Sequence, residues 1–249
     1  MIFVGTSGYQ FDDWIGEVYP ENIKSKELLN YYWMHYGFNT VELNFTYYTL
    51  PSYRSIVTIL RKLPHNFYIS VKLYGKITHE KNLEYLDKFL ENTKILMEEN
   101  RLIGYLAQFP FSFMKTKENI LFVNLIAEKV PRLFVEFRHA SWISFDSEKF
   151  EIVTIDQPKL PNFYPFIIKA KKFLYVRLHG RNKNWFKHDV KTRYNYNYST
   201  NEMIKIWETI KKFRGDKAIY FNNCFKGKAL KNALLFRKLV GGEKIDIFQ

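Results

Sequence analysis

Eight short apolar runs recur along the chain, and almost every one ends at a charged, amide or hydroxyl residue. They cover residues 2–5, 40–43, 67–72, 103–108, 133–136, 152–156, 173–179 and 218–222. A strand of a parallel barrel is buried on both faces except at its C-terminal end, where the active sites of such barrels lie. The pattern therefore predicts parallel strands whose polar ends meet at one place.

Helical stripes separate most of these runs. Apolar residues recur every three to four positions within 28–36, 80–99, 118–129, 203–213 and 229–240, which is the spacing of one buried helix face. Thr116 and Thr200 are N-cap candidates, and Pro51 is suited to open the helix after the second run. Strand and helix in alternation predict an α/β fold, a (β/α)8 TIM barrel.

Two crossovers of this barrel are expected to be irregular. The intervals after Glu136 and after Asp156 are too short for a full helix each, and three prolines between residues 158 and 165 interrupt the second interval. No Gly/Ser-rich or Pro-rich linker divides the chain. We therefore predict one domain over residues 1–249, with short crossovers around strands 5–7.

The composition is basic. Lys and Arg number 38 against 25 acidic residues, which gives a net charge of +13. Surface lysines alone can produce such an excess. No run approaches 18 apolar residues, so no membrane span is expected. A single cysteine, Cys224, excludes an intramolecular disulfide and fits a reducing compartment, and no secretory signal is recognised. We expect a cytoplasmic protein whose Cys224 is a buried thiol.

One basic segment runs through the seventh predicted strand, from just before it to the loop after it. Residues 169–193 contain nine Lys or Arg and one acid, Asp189. Basic, amide and aromatic residues interleave in 181–199, a composition suited to stacking on bases or sugars beside phosphate. An ordinary loop that packs its tyrosines on the barrel rim would have the same composition, so both interpretations stay open.

The strand ends also form an ordered set of motifs. The set includes Val4-Gly5-Thr6-Ser7-Gly8-Tyr9, Val41-Glu42-Leu43-Asn44, Val71-Lys72 with Thr78-His79, Gln108-Phe109-Pro110, Glu136-Phe137-Arg138-His139, Asp156-Gln157-Pro158, Arg177-Leu178-His179-Gly180 and Asn222-Asn223. From residue 4 to about 233 the chain resembles the YecE-like family, catalogued as domain of unknown function 72. The resemblance implies a TIM barrel and implies no established reaction.

Side chains two apart on a strand share a face, so alternate residues at the strand ends are expected to form a charged cluster in the barrel mouth. The candidates for general acid or base are Glu136, Glu42, His179 and Asp156. The candidates for substrate binding are Lys72, Arg177, Arg138, Asn44, Gln108, Asn222, Asn223, His79, Thr6 and Ser7. A structural ion-pair layer is the alternative, and the Thr6-Ser7-Gly8 turn either presents N–H groups to a phosphate or is simply a tight turn.

These residue types predict a site for an anionic substrate that carries phosphate or carboxylate, with acid/base or hydrolytic chemistry. The alternative is a nucleic-acid-binding protein or a metal-dependent phosphoesterase that uses the basic loop after strand 7. A divalent ion has potential ligands in Glu136, Asp156, His179, His79 and Glu42. No paired His or Cys spacing supports a metal, and interleaved Arg and Lys would neutralise the carboxylates. No cofactor is predicted; the expected partners are an anionic small molecule or nucleic acid, and no membrane.

Overall fold

A computed structural model of the protein describes residues 1–186 and 193–242. Every pairing between strands of this part of the chain is parallel. The strands are β1 (Ile2–Thr6), β2 (Thr40–Leu43), β3 (Tyr68–Lys72), β4 (Leu102–Gln108), β5 (Leu133–Glu136), β6 (Glu151–Ile152), β7 (Thr154–Asp156), β8 (Phe173–Leu178) and β9 (Asp216–Phe221). They form two sheets, in the orders β2-β3-β4-β5-β6 and β1-β9-β8-β7.

The two sheets meet at two seams. β6 and β7 are halves of one predicted strand, separated only by Val153, whose N–H donates to the carbonyl of Val135 at 2.9 Å. At the other seam an isolated bridge pairs Ser7 with Glu42, and the N–H of Gly8 donates to the Glu42 carbonyl at 2.8 Å. The predicted runs thus occur as strands in the sequential order of a TIM-barrel-like fold, with the sixth run divided.

Helices occupy most of the intervals between strands. They are α1 (Leu28–Met34), α2 (Phe45–Tyr48), α3 (Tyr53–Leu60), α4 (Gly75–Thr78), α5 (Glu84–Thr93), α6 (Ile95–Glu98), α7 (Lys117–Lys129), α8 (Thr200–Ile210) and α9 (Lys228–Val240), with 3-10 turns at Asp12–Trp14, Ser25–Glu27, Ala140–Trp142 and Phe225–Gly227. No helix in the described ranges is long and apolar enough to cross a membrane.

Two helix starts differ from the sequence expectation. The cap of α8 is Ser199 rather than Thr200: its hydroxyl accepts from the N–H of Glu202, whose carboxylate accepts from the Ser199 N–H. Such a reciprocal capping box satisfies two N–H groups that a helix leaves unpaired. Pro51 does not open α3, because Ser52 is the N-cap of that helix and accepts from Ser55.

Other expectations about the elements are confirmed or refined. Thr116 caps α7 by accepting from the N–H of Asn119. The single stripe expected over 80–99 is two helices, α5 and α6, which meet at Lys94. The short crossovers are confirmed, since only the 3-10 turn Ala140–Trp142 lies between β5 and β6 and residues 157–172 contain no helix.

The aromatic residues build much of the core. Trp142 is fully buried, stacks on Phe137 with ring centres 3.9 Å apart, and donates its indole N–H to the carbonyl of Phe113 at 2.7 Å. Such a contact buries a large apolar area and still satisfies the polar end of the ring. Cys224 is buried, as expected, and its Sγ lies 3.5 Å from the carbonyl oxygen of Ser7.

Candidate functional site

A buried ion-pair network forms the floor of the barrel mouth. Arg177, on β8, donates through Nε and Nη2 to Glu42 of β2 at 2.9 and 2.8 Å, and through Nη1 to Glu136 of β5 at 2.6 Å. The side chains of all three residues are at most 1% exposed. Buried ions are tolerated when they are paired and hydrogen-bonded, and the forked guanidinium meets both carboxylates here.

The carboxylate of Glu42 is saturated with donors. Besides the two bonds from Arg177, it accepts from the hydroxyl of Tyr175 at 2.7 Å and from the hydroxyl of Ser7. Ser7 Oγ accepts in turn from Arg177 Nη2 and from Asn44 Nδ2, each at 2.8 Å. A carboxylate offers about four acceptor positions, so Glu42 has none left for a proton from a ligand.

His179 is held as the neutral Nε2–H tautomer. The amide of Asn222 donates to its Nδ1 at 2.8 Å, so the ring proton is on Nε2, which faces the Glu136 carboxylate at 3.2 Å. Burial and the positive charge of Arg138 lower the pKa of His179 to about 3, although Glu136 acts in the other direction. The imidazole is therefore uncharged near neutral pH.

Arg138 connects the floor with the wall of the mouth. Its Nε lies 2.6 Å from Glu136 Oε1 and forms an ion pair with it, but the angles do not allow a hydrogen bond between these two atoms. Burial alone would raise the pKa of Glu136, yet Arg138, Arg177 and His179 together hold it well below its usual range. The guanidinium carbon lies 5.2 Å from the centre of the Trp185 ring, a cation–π distance.

Lys72 is a half-buried amine at the end of β3. Its Nζ donates to Gln108 Oε1 at 2.7 Å and lies 4.2 Å from the ring centre of Tyr47. No carboxylate of the described residues forms an ion pair with it. Desolvation and the positive charge of Arg177 lower the pKa of Lys72 to about 7, and the carboxylates of the floor compensate only in part.

His79 lies at the exposed edge of the same mouth. Its ring packs edge-on against Tyr47 with ring centres 5.0 Å apart, and its Nδ1 lies 2.9 Å from Thr78 Oγ1. Desolvation of the ring and the positive charges of Lys72 and Arg138 lower the pKa of His79. Lys72, His79 and Arg138 are therefore within electrostatic range of one another.

Asp156 lies apart from this network. Its carboxylate accepts from Arg181 Nε at 2.9 and 3.0 Å and from the hydroxyl of Tyr198 at 2.7 Å. Its register partner on β8 is Leu178, and neighbours on one strand point to opposite faces, so Asp156 and Arg177 face different ways. Of the three carboxylates expected together, the structure unites two.

The turn after β1 follows the tight-turn interpretation. Gly8 has a φ of +88°, which favours glycine. The N–H groups of Thr6, Ser7 and Gly8 donate to Tyr32 Oη, the Phe221 carbonyl and the Glu42 carbonyl. All three donors are thus used inside the protein, and none remains to hold a phosphate.

Two amide oxygens beside the network are buried without a hydrogen-bond partner, Asn44 Oδ1 and Asn223 Oδ1. The Asn223 amide nitrogen donates to the carbonyl of Tyr196 and to Asn232, both at 2.8 Å, so this residue ties the loop before α8 to α9. Asn44 as a whole is half-buried, but its Oδ1 is enclosed, so this oxygen is an unsatisfied acceptor inside the protein.

The described residues of the basic segment do not form one surface. Lys171 and Lys172 precede β8 and border a cavity of about 640 Å³ at the opposite end of the strands, whereas Arg177 belongs to the buried floor. Arg181 is neutralised by Asp156 and Glu202. Residues 187–192, with Lys187 and Lys191, lie outside the described residues. Four of the nine basic residues thus add no free positive charge at the mouth, and the nucleic-acid interpretation stays a prediction.

Metal ligation finds no support in the donor set. Within 1–186 and 193–242, no three His, Cys, Asp or Glu residues are grouped to hold an ion. The two carboxylates that do meet, Glu42 and Glu136, are both paired with Arg177.

Sequence reasoning missed three aromatic members of the site. Tyr175 could have been found, because it lies two residues before Arg177 and shares its face. Tyr47 follows β2 on a short helix, and Trp185 lies in the loop after β8. Neither position follows from strand periodicity, since both depend on how connecting segments fold over the mouth.

Known proteins resemble the chain over nearly its whole length. A family model described as a protein of unknown function, DUF72, matches residues 3–247. The UPF0759 protein YunF of Bacillus subtilis is 27% identical over 265 residues, which cover 93% of this chain and 92% of YunF.

Solved structures of DUF72 family proteins share the fold. One from Thermotoga maritima is 42% identical with a TM-score of 0.88, covering 97% of this chain and 99% of the other. One from Enterococcus faecalis is 26% identical with a TM-score of 0.81, covering 100% and 98%. These similarities bear out the family resemblance and the TIM-barrel-like architecture.

Proposed function

The chain belongs to the DUF72 family, and we propose that its barrel mouth binds a small anionic molecule and performs acid/base chemistry on it, with Lys72 as the group that exchanges the proton. One observation carries the proposal. Lys72 is a half-buried amine at a barrel strand end, hydrogen-bonded to an uncharged amide, and its pKa is lowered to about 7.

Charge balance supports an anionic ligand. In the floor, two carboxylates, Glu42 and Glu136, face two guanidiniums, those of Arg177 and Arg138. A protonated Lys72 is then a positive charge in excess, held in a partly desolvated place where an uncompensated ion is costly. A carboxylate or phosphate of the ligand would supply the missing counter-charge.

Proton exchange is better suited to Lys72 than to the acids and the histidine expected from sequence. Glu42 is saturated with donors, the pKa of Glu136 is held well below its usual range, and His179 stays neutral. An efficient acid or base has a pKa near the working pH, which is true of Lys72. Glu42, Glu136 and His179 then act as positioning residues that fix the local charge.

Anion affinity in matched variants tests the proposal. Oxalate and inorganic phosphate are titrated by calorimetry into wild type, Lys72→Gln and Lys212→Gln, a control that removes an exposed charge near the start of β9. Loss of a charge-assisted contact is worth about 1.5–3 kcal/mol, roughly a tenfold or larger loss of affinity. In wild type the affinity falls as the pH rises through about 7, because Lys72 loses its charge.

Circular dichroism first establishes that each variant is folded. If Lys72→Gln and Lys212→Gln bind both anions as wild type does, or if wild type binds neither, the proposed anion site is wrong.

A further inference from the structure

We propose that Lys72 is a covalent nucleophile and that its ligand is a small oxo acid, whose carbonyl carbon forms an iminium with Nζ while its anionic group lies toward Arg138. This rests on the proposed function, because it assigns a substrate class and a reaction to the same mouth.

The contacts of Lys72 suit a nucleophile. A lysine that is paired with a carboxylate is held as ammonium, which has no lone pair to donate. Lys72 instead donates to the neutral oxygen of Gln108 at 2.7 Å, a bond that an uncharged amine can also make. The side chain is half-buried and lies at the C-terminal end of β3, on the mouth side of that strand.

The surroundings suit a ligand that carries its carbonyl and its charge close together. Lys72 Nζ donates to Gln108, the register partner of Glu136, and Glu136 Oε1 lies 2.6 Å from Arg138 Nε, so the amine and the guanidinium flank two neighbouring strand ends. The guanidinium is fixed between Glu136 and the ring of Trp185. A planar, fixed guanidinium favours a carboxylate or phosphate, and an oxo acid places such a group beside its carbonyl.

The step balances without a metal or a redox partner. The lone pair of neutral Nζ attacks the carbonyl carbon, the π pair moves to the oxygen, and that oxygen takes a proton. A proton leaves the nitrogen, the hydroxyl takes a second proton and departs as water, and the C=N bond forms as a protonated iminium. One amine, one carbonyl compound and one proton thus give one iminium and one water.

A lysine amine is largely neutral near pH 7 only where its pKa is lowered, as it is at Lys72. A lysine of ordinary pKa is uncharged in about 0.1% of molecules near pH 7.4, whereas a pKa of about 7 leaves Lys72 mostly uncharged there. Lysines in desolvated, positively charged surroundings serve as Schiff-base nucleophiles for this reason.

Reductive trapping tests the inference. The full chain is incubated with pyruvate and sodium cyanoborohydride at pH 7.5, and peptide mass spectrometry compares the adduct at Lys72 with that at exposed Lys212 in the same molecules. We expect at least about tenfold faster labelling of Lys72, given its larger neutral fraction, with the preference falling below pH 6. Acetone, which has the carbonyl and lacks the charge, should label Lys72 more slowly than pyruvate.

A second variant separates this inference from the function on which it rests. Lys72→Arg keeps the positive charge and cannot form an iminium, so it should bind oxalate and lose trapping at position 72. If pyruvate labels Lys72 no faster than Lys212 while oxalate still binds, the iminium is wrong and the anion site stands. If wild type neither binds oxalate nor traps pyruvate at Lys72, both proposals are wrong.

Discussion

The charge of each group in the mouth follows from its nearest partners. Asn222 sets which nitrogen of His179 carries the proton, and Arg138 and Arg177 hold the pKa of Glu136 well below its usual range. Strand periodicity predicts this grouping, because Arg177 on β8 and His179 just after it are two residues apart and point the same way. The same reasoning fails for Asp156. The apolar run that ends there is divided at Val153, and the sequence does not show which face of the strand the Asp156 side chain takes.

The buried His179 predicts acid sensitivity. Its pKa is about 3 in the folded state and near 6.5 in the unfolded chain, so the unfolded chain binds more protons between these values. Stability is therefore complete above about pH 6.5 and is lost as the pH falls toward 3, by up to about 1.4 kcal/mol per pH unit. Urea unfolding from pH 7.5 to 4.5 should show a shallower loss for His179→Gln. Equal slopes in the two proteins would contradict the assignment.

At the scale of elements, side chains at helix starts set the boundaries. Ser199 and Thr200 are both good N-cap residues, so the sequence does not distinguish them. Glu202 lies three residues after Ser199, which is the spacing of the capping box observed at α8. Apolar stripes predict that a helix exists, and the reciprocal hydrogen bonds decide where it begins.

The cap predicts an asymmetry between two neighbouring substitutions. Ser199→Ala removes the acceptor for the Glu202 N–H and should cost about 1 kcal/mol in the free energy of unfolding. Thr200→Ala, inside the first turn, is the matched control and should stay within about 0.5 kcal/mol of wild type. Thermal unfolding of the two variants decides between the caps, and a larger cost for Thr200→Ala would place the helix start one residue later.

Across the whole molecule, one guanidinium ties three strands. Arg177 belongs to β8, Glu42 to β2 and Glu136 to β5, so the floor joins both sheets in addition to their two seams. The order of the strands could be predicted from the repeated pattern. The division of the sixth strand could not, because hydrogen bonding, rather than hydrophobicity, separates β6 from β7.

Breaking this tie should destabilise the entire fold. Arg177→Met leaves Glu42 buried without a counter-charge and leaves Glu136 only Arg138, and removing one partner of a buried pair costs about 3–5 kcal/mol. The double variant Glu42→Gln, Arg177→Met removes one opposite pair of charges, keeps Glu136 paired with Arg138, and should lose less. Chemical denaturation measures both. A loss of under about 1 kcal/mol in the single variant would mean that the network contributes little to stability.

The titration of the Lys72 amine tests the central claim most directly. In protein labelled with 13C-lysine, the Cε resonance that disappears in Lys72→Gln reports the protonation of this one side chain. We predict a midpoint near pH 7 in the wild-type protein. A midpoint near the ordinary value of about 10.4 would contradict a mouth built around an uncharged, reactive amine.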